Sequence, residues 1–352
     1  MHITLGVDGH KETHTIVAIN PVGRFLDQMT VPNDFTGYEQ AYQWACRLGM
    51  FRTWGIENSG HFARAFAQYL LAQGEIVLEV SPHLTGRKRN RSRDASKSDP
   101  NDALAVARVV LQENDSLPAV EKEDQTTQVK LLVEQRDNLV GERTRLLNQL
   151  HAQLTEVDPH YKGRLGDPKQ PGTLNSCLAY PVPESDPIGE IRVTIIKQLA
   201  CLILQLNEQI DALEKRIHPL VEQIAPALLT IQGIGFLNGA TLIARVGNIG
   251  SVSSASALAH YGGLAPIRCG TAGNYYYRVN PKGDRQLNAV FHRIAQTQSA
   301  CNPLAKAYLA KKKAEGKTPK QAFRCFKRRM VDIVYAVWKS GKPYTPPVSN
   351  VV

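Results

Sequence analysis

The chain has 352 residues, 43% of them hydrophobic, so it is long enough for two or three domains with buried cores. Its formal net charge is +10, and it contains no apolar run of about 18 residues, so we expect no membrane association. The N-terminus lacks a signal-peptide pattern and the six cysteines have no zinc-ligand spacing, so we expect a cytoplasmic protein with reduced thiols and no zinc site.

The first 80 residues alternate between strand-like and helix-like patterns. Residues 3–30 predict a three-stranded meander with a turn at 21–23. Further elements are predicted along the chain: a helix at 38–48, a strand at 53–58, a helix at 61–73 and a strand at 75–80. This order predicts an α/β domain with a mixed sheet. A basic loop at 86–97 then leads to a helix that begins at Asp99.

Two long helices, separated by a Pro/Gly-rich break at 158–187, are predicted in the middle of the chain. Apolar residues of the first helix recur every seven residues, at Val133, Val140, Leu147 and Leu154. In the second helix two such series interleave: Ile196, Ile203, Ile210 and Ile217 with Leu199, Leu206, Leu213 and Leu220. Isoleucine at one core position and leucine at the other favours a parallel two-stranded coiled coil between two chains. An antiparallel hairpin within one chain fits the same pattern.

From Pro226 onward the predicted structure is mostly helical. Residues 228–247 predict a helix, a tight Gly-Ile-Gly turn and a second helix, an arrangement similar to a helix-hairpin-helix. Gly233 and Gly235 would let backbone amides at a helix N-terminus approach a phosphate. An ordinary helical turn without a ligand fits the same sequence. The sequence therefore predicts three domains: a mixed-sheet domain at 1–118, a helical coiled-coil domain at 119–225 and a mostly helical domain at 226–345.

Charge is segregated between the two parts of the chain. From Pro226 to the end the formal charge is +15, whereas the first 225 residues carry −5. Nucleic acid is the favoured partner of such a basic region, because neutralising phosphates releases counterions; a basic surface without a specific partner has the same composition. The candidate nucleic-acid-binding residues are Arg87, Lys88, Arg89, Arg91, Arg93, Gly233, Gly235, Arg278, Lys282, Arg285, Lys320, Arg324, Lys327 and Arg328.

Four carboxylates have positions suited to metal binding. Asp8 lies at the end of the first predicted strand and Glu57 at the end of another. Asp99 and Asp102 open a predicted helix, with Asp99 as its N-cap and both carboxylates on one helix face. Oxygen ligands from two strand ends and a helix start can hold Mg²⁺ ions at a scissile phosphate. Each residue also has a structural explanation, as a cap, a turn residue or a surface residue.

Several segments resemble a known protein family. GVDGHKETH, GIENSG, KSDPNDALAVARV and SVSSASALAHYGGLAPIRCGTAGNYYYRVNPKGDRQLN are similar, in this order, to motifs of the IS110 family of bacterial insertion-sequence transposases, which also includes a pilin-gene invertase. The resemblance covers nearly the whole chain. It implies a RuvC/RNase H-like first domain, Mg²⁺ as cofactor and a DEDD tetrad of metal ligands and catalytic residues formed by Asp8, Glu57, Asp99 and Asp102.

The resemblance also implies a chemical mechanism and a set of partners. In the family, a serine that follows the GLAP segment, usually before a glycine, attacks DNA to form a covalent phosphoserine intermediate, and the tetrad and its metal act in the same reaction. The best understood members select target and donor DNA with a structured non-coding bridge RNA, and they work as dimers that pair into a tetramer. We therefore expect double-stranded donor and target DNA, a bridge RNA and further copies of this chain as partners.

The sequence departs from the family pattern at the nucleophile. The segment between Pro266 and Tyr275 contains no serine, and Ala272, directly before Gly273, occupies the expected place. Three explanations are open: an engineered Ser→Ala replacement, which we favour, Thr271 as the hydroxyl nucleophile, or a naturally inactive copy. We expect the chain as written to bind its substrates without cutting efficiently. Beyond this segment, the neighbouring tyrosines (Tyr275, Tyr276, Tyr277) either stack on bases or form one face of a β-hairpin.

Three other functions fit parts of the sequence. A RuvC-type structure-specific nuclease needs the tetrad and a metal but no covalent nucleophile, and it leaves the GLAP…PKGDRQLN segment unexplained. A kinase of the actin-like fold shares a strand–Asp–Gly hairpin, but no second phosphate loop follows and a +15 region is unusual for a kinase. A non-enzymatic nucleic-acid-binding protein would use the carboxylates only for structure.

Overall fold

A mixed five-stranded sheet forms the centre of the first of two units, Met1–Glu123 and Asp124–Val352, into which the chain divides. The computed structural model describes residues 2–57, 59–89, 99–183, 186–270 and 276–346. The elements of the first unit are β1 (His2–Gly9), β2 (Thr13–Ile19), β3 (Phe25–Pro32), α1 (Phe35–Leu48), β4 (Phe51–Glu57), α2 (Arg64–Ala72), β5 (Ile76–Val80), α3 (Pro82–Arg89) and α4 (Asp99–Glu113).

The strand order is β3-β2-β1-β4-β5, with β1 at the centre. β1 pairs antiparallel with β2 and parallel with β4, and β4 pairs parallel with β5. Residues 3–7 of β1 are all buried, because helices cover both faces of a sheet of this kind and a central strand then has no solvent-facing side. The predicted meander and the predicted mixed sheet are confirmed.

Two glycines let α4 lie directly against one face of the sheet. Gly6 of β1 and Gly55 of β4 are register partners. A Cβ atom at Gly6 would lie 2.1 Å from the carbonyl oxygen of Ala103, and one at Gly55 would lie 2.2 Å from a methyl group of Val110. The opposite face packs against α1 and α2, with Phe66 among its fully buried side chains. The close approach of α4 determines where this helix begins relative to the strand ends.

The second unit is mostly helical, as predicted. Its elements are α5 (Gln125–Val157), α6 (Tyr161–Leu165), α7 (Pro171–Leu178), α8 (Pro187–Ile224), α9 (Phe236–Val246), α10 (Ala255–Tyr261), β6 (Ile267–Cys269), β7 (Tyr276–Arg278), α11 (Arg285–Cys301), α12 (Pro303–Ala314) and α13 (Pro319–Ser340). The strands β6 and β7 form an antiparallel hairpin. No described helix combines the length and the apolarity needed to cross a membrane.

The long helices α5 and α8 pack against each other as an antiparallel hairpin within one chain. Arg136 of α5 lies 2.8 Å from Glu214 of α8, and at the other end Arg192 lies 3.0 Å from Glu156. The isoleucine series is buried in α8, as is Leu199 of the leucine series. Of the two arrangements that the heptad pattern allowed, the structure has the intramolecular one. Association with a second copy stays a prediction.

Three local predictions were wrong in detail. The predicted basic loop at 86–97 is helical up to Arg89, because Arg and Lys are good helix formers and charge alone does not end a helix. The first predicted helix of 228–247 is a short 3₁₀-helix, Pro226–Thr230, and Gly233 has a φ of 92°, which a right-handed helix does not accommodate. Asp99 is the first residue of α4 instead of its N-cap, a difference of one position.

Candidate metal centre and basic cleft

The strands β1 and β4 end side by side at two carboxylates. Val7 and Ile56 are their last parallel partners, and one step further along are Asp8 and Glu57, on strands about 4.8 Å apart. Side chains alternate between the faces of a sheet, so Asp8 shares a face with Gly6, and Glu57 shares one with Gly55. Both glycines face α4, and both carboxylates therefore lie on the α4 side.

The first turn of α4 lies at the same edge of the sheet. Ala103 and Ala107 of α4 contact Gly6, and the helix begins four residues before Ala103, at Asp99. Its acidic first turn contains Asp99 and Asp102. The four predicted carboxylates, named here the acidic centre, are thus contributed by β1, β4 and the start of α4.

His10 joins this group, although it was not predicted. It lies in the turn after β1, and its Nε2 is 3.2 Å from Oδ2 of Asp8 and 3.5 Å from Oδ1 of Asp99. One donor atom from each of these three residues lies within 4.8 Å of the others. Among the described residues, Glu57 and Asp102 are not part of this group of three. A histidine two residues after a strand-end aspartate was the available signal.

The electrostatics of the acidic centre favour a cation. Burial raises the pKa of the Asp8 carboxyl group; His10 partly offsets this rise, and the charges of Asp102 and Asp99 add to it. Carboxylates that repel one another gain from a bound cation, and oxygen atoms with an imidazole nitrogen form an ordinary ligand set for a divalent metal. The donor atoms present therefore fit a divalent ion.

Asn33, at the end of the meander, connects the two segments that follow the carboxylate-bearing strands. Its Nδ2 donates to the carbonyl oxygens of Lys11 (3.1 Å) and His10 (3.4 Å) in the turn after β1. It also donates to the carbonyl oxygen of Phe62 (3.2 Å), in the segment after Glu57. One amide group thus fixes both turns at the acidic edge. This role was also missed from the sequence.

His14 lies buried beneath this turn. Its ring stacks on those of Tyr38 and Phe66, with centroids 5.9 and 5.4 Å away, and these two rings also contact each other at 5.3 Å. Its Nε2 donates to Oδ1 of Asn33 at 2.9 Å, and that oxygen also accepts from the Tyr38 hydroxyl. In the part of the chain that the structure describes, Nδ1 of His14 is the one buried side-chain nitrogen or oxygen without a hydrogen-bond partner. Burial lowers the pKa of His14 and so favours the neutral ring.

A cleft of about 710 Å³ in the second unit contains the GLAP segment, residues 263–266. Its basic lining side chains are Arg278, Lys312, Lys317, Arg324, Lys327 and Arg328, and none of its described lining residues is acidic. We call this cleft the basic cleft. Lys312 and Lys317 were missed from the sequence, although the lysine run at 311–313 was a signal.

Lys327 connects α13 to the turn that precedes the GLAP segment. Its Nζ donates to Oδ1 of Asn288 at 2.8 Å, and Nδ2 of Asn288 donates to the carbonyl oxygen of Gly262 at 2.9 Å. Burial lowers the pKa of Lys327, and the nearby charge of Arg324 lowers it further. A phosphate that neutralised these cations would be held firmly, because charges attract more strongly where less water separates them.

The remaining predicted residues lie elsewhere. Lys282, Arg285 and Lys320 are exposed and are not among the described lining residues of the basic cleft. Gly235 is the N-cap of α9 and borders a separate cavity of about 520 Å³, which Arg293 also lines; Gly233 precedes it in the turn. Ala272, Thr271, Tyr275, Arg91 and Arg93 lie outside the described residues.

Two tyrosines of the hairpin formed by β6 and β7 are exposed. β6 and β7 pair with Cys269 opposite Tyr276. Tyr276 and Tyr277 are 62% and 68% exposed, so the hairpin that the sequence allowed is present and its tyrosine rings are available to a ligand. Arg278, at the end of β7, lines the basic cleft.

Comparison with known proteins gives matches over most of the chain. A family model of DEDD transposases of the IS110 type matches residues 5–159, and a second one, described as the transposase IS116/IS110/IS902 family, matches residues 225–310. An uncharacterised 44.8 kDa protein of insertion element IS116 from Streptomyces clavuligerus is 25% identical, over 98% of this chain and 96% of that protein.

Two further relatives and one solved structure are also similar. The transposase of insertion sequence IS1328 from Yersinia enterocolitica is 26% identical over 66% of this chain and 67% of its own length. The pilin gene-inverting protein of Moraxella bovis is 25% identical over 82% of this chain and 80% of its own length. The RuvC protein of T. thermophilus, solved with a Holliday junction substrate, matches 34% of this chain and all of its own with a TM-score of 0.27 and 11% identity.

Proposed function

The chain belongs to the IS110 family of transposases, and on this basis we propose that it cleaves and exchanges the DNA strands of an insertion sequence in the bacterial cytoplasm through a covalent phosphoserine mechanism guided by a bridge RNA. The observation that supports the proposed chemistry is that Asp8, Asp99 and His10 lie close together at one sheet edge. At this edge β4 contributes Glu57, and the first turn of α4 contributes Asp102.

Asp8, Glu57, Asp99 and Asp102 would hold divalent metal ions, Mg²⁺ by the family resemblance. Such an ion would supply positive charge at the scissile phosphate and lower the pKa of the attacking oxygen. The chain's own contribution is to hold the carboxylates together before DNA arrives. The pKa of Asp8, which burial raises, falls again when a cation binds next to it.

The basic cleft binds the phosphates of the DNA strand that is cut. Arg278, Arg324 and Lys327 line it beside the GLAP segment, after which the family serine stands. In the covalent step the serine oxygen forms a bond to phosphorus and a deoxyribose oxygen leaves; a DNA hydroxyl later displaces the serine. In the chain as written, Ala272 stands in this place and Thr271 offers the neighbouring hydroxyl, so we propose that it binds DNA and cuts it poorly.

The proposed partners are double-stranded donor and target DNA, a structured bridge RNA and further copies of this chain as dimers and tetramers. The basic segment with Arg87, Lys88, Arg89, Arg91 and Arg93 contributes contacts to a nucleic-acid backbone, as do Lys282, Arg285, Lys320 and Arg328 in the second unit. Sequencing of the RNA that co-purifies with the chain, expressed together with its flanking non-coding DNA, tests the RNA part. One discrete structured species supports it, and heterogeneous cellular RNA contradicts it.

A covalent protein–DNA adduct tests the chemical part. The variant Ala272→Ser, incubated with Mg²⁺ and DNA of the flanking element ends, is expected to form an adduct that survives denaturing electrophoresis. The double variants with Asp8→Asn or Asp102→Asn are expected to form none. Cleavage without an adduct would indicate a RuvC-type nuclease instead, and an adduct in the unaltered chain would assign the nucleophile to Thr271.

A further inference from the structure

We propose that His10 is a ligand of the metal bound at the acidic centre, and that its imidazole makes the centre bind Mn²⁺ in preference to Mg²⁺. This inference rests on the proposed function in one respect, because the acidic centre must bind a divalent ion. It goes further in adding a nitrogen donor to the four carboxylates and in assigning a metal preference to one residue.

The His10 nitrogen lies close enough to each carboxylate to share an ion with it. Ligands at about 2.1 Å from an ion are separated from each other by no more than about 4.2 Å. Nε2 of His10 lies 3.2 Å from Oδ2 of Asp8 and 3.5 Å from Oδ1 of Asp99, both within that limit, and all three donor atoms lie within 4.8 Å of one another. The same nitrogen faces both carboxylates, so an ion that binds the two carboxylates also meets the imidazole.

The turn that carries His10 is held on both sides. Its backbone amide donates to the carbonyl oxygen of Thr13 at 2.9 Å, and its carbonyl oxygen accepts from Asn33. Only the side-chain torsions of His10 are therefore left to adjust. A rigid turn reduces the entropy lost when the ring binds an ion, which is what a preorganised ligand needs.

An ion pair with the carboxylates is the simpler role for His10. The side chains of His10 and Asp99 are 50% and 58% exposed, and exposed ion pairs contribute little to stability. Such a pair would need a proton on both ring nitrogens. Coordination needs the Nε2 lone pair instead, with the ring proton on Nδ1. The two roles therefore differ in a property that spectroscopy can detect.

A nitrogen donor changes which metal the centre prefers. Mg²⁺ is bound almost entirely by oxygen and gives up its water reluctantly. First-row transition ions accept imidazole nitrogen together with carboxylate oxygen, and in such mixed sites they bind more tightly than Mg²⁺. Mn²⁺ is a suitable probe because it resembles Mg²⁺ in accepting carboxylates and because it is paramagnetic.

The test is electron spin echo envelope modulation of Mn²⁺ bound to the full-length chain, freed of nucleic acid. The unaltered chain is expected to show ¹⁴N modulation from a coordinated imidazole, and His10→Ala and His10→Gln are expected to lose it. The dissociation constant for Mn²⁺ should rise about 10-fold or more in both variants. The constant for Mg²⁺, measured by competition, should change by a smaller factor than the constant for Mn²⁺.

A matched control is His2→Ala, at the opposite end of β1, where the ring hydrogen-bonds to Oγ1 of Thr53 at 3.1 Å. This variant should keep the ¹⁴N modulation, and circular dichroism melting curves show whether each variant folds. Bound Mn²⁺ without modulation, or modulation that persists in His10→Ala, overturns the role of His10 and leaves the carboxylate centre intact. If the unaltered chain binds neither Mn²⁺ nor Mg²⁺, the proposed metal centre is rejected together with this inference.

Discussion

Gly263 and Gly283 touch backbone to backbone: a Cβ atom at Gly283 would lie 2.1 Å from the amide nitrogen of Gly263. Gly263 also has a φ of 66°, a conformation that side chains rarely adopt. The contact holds the GLAP segment against the turn before α11. The two glycines, one in GLAP and one in PKGD, therefore determine the shape of one wall of the basic cleft.

We expect Gly283→Ala to damage that wall. No flexible side chain can move aside, so the backbone must shift, at a cost of about 1–3 kcal/mol in the free energy of unfolding. The affinity of this variant for DNA should fall as well. The control is Gly141→Ala in α5, where an added Cβ meets nothing within 4 Å and the chain should become more stable by about 0.5–1 kcal/mol. Unchanged stability and DNA affinity in Gly283→Ala would contradict the importance of this contact.

Gly6→Ala is expected to disrupt the acidic centre by displacing α4. The added Cβ would lie 2.1 Å from the carbonyl oxygen of Ala103 and 2.3 Å from the amide nitrogen of Ala107, so α4 must move away from β1. Its first turn, with Asp99, should then lose its position next to Asp8. Isothermal titration with Mn²⁺ should show weaker binding than in Gly60→Ala, an exposed position where a Cβ meets nothing within 4 Å. Equal affinities would show that α4 adjusts without moving its carboxylates.

Asn33→Asp tests whether the acidic edge is positioned by one amide. The substitution keeps the acceptor for His14 but removes the donors to the carbonyl oxygens of Lys11 and Phe62. We expect Mn²⁺ affinity to fall about 10-fold, as for other residues that orient metal ligands, and the melting temperature to fall as well. A lower melting temperature with unchanged Mn²⁺ affinity would show that Asn33 supports the fold alone.

The buried His14 predicts a pH dependence of stability. Its pKa in the folded chain is lowered from 6.5 by burial, so the unfolded chain binds a proton below pH 6.5 that the folded chain does not. Stability from this residue is therefore complete above pH 6.5 and is lost as the pH falls towards the lowered pKa. Melting temperatures are measured between about pH 5 and 8. As the pH decreases below 6.5, the melting temperature of His14→Gln should fall less steeply than that of the unaltered chain. Parallel curves for the two proteins would contradict this assignment.

Much of the first unit could be predicted from its sequence, because strand ends and helix starts leave local signals. Asp8 and Glu57 lie at strand ends as predicted for that reason, and Asp99 lies one position from its predicted place at the helix start. His10 was missed because it lies in a turn, where no periodicity marks a residue, and its proximity to Asp99 depends on how closely α4 packs. Gly6 and Gly55 make that packing close, yet each looks like an ordinary glycine until the register pairs them.

The second unit was harder to predict, for a different reason. A heptad series predicts an apolar helix face that must pack against another helix. It does not indicate whether that helix belongs to the same chain or to a second copy. The ion pairs Arg136–Glu214 and Arg192–Glu156 lie far apart in sequence and become evident only once the hairpin is formed. Similarly, the cations of the basic cleft come from β7, α12, α13 and the segment between these two helices, which only the tertiary structure brings together.

If DNA binds in the basic cleft, the salt dependence of its affinity should respond to the loss of a cation that lines the cleft. If DNA binds to a diffuse positive surface, the position of the lost cation should not matter. Arg324→Ala removes a cation that lines the cleft, and Lys306→Ala removes one from an exposed position of α12 that is not among the described lining residues. Arg324→Ala should weaken DNA binding and reduce the slope of log affinity against log salt by about 1, because one phosphate contact is lost. Fluorescence anisotropy between about 50 and 200 mM salt measures both. Lys306→Ala should leave the slope nearly unchanged. If both variants change it equally, DNA binds through the summed charge of the second unit and the basic cleft has no special role.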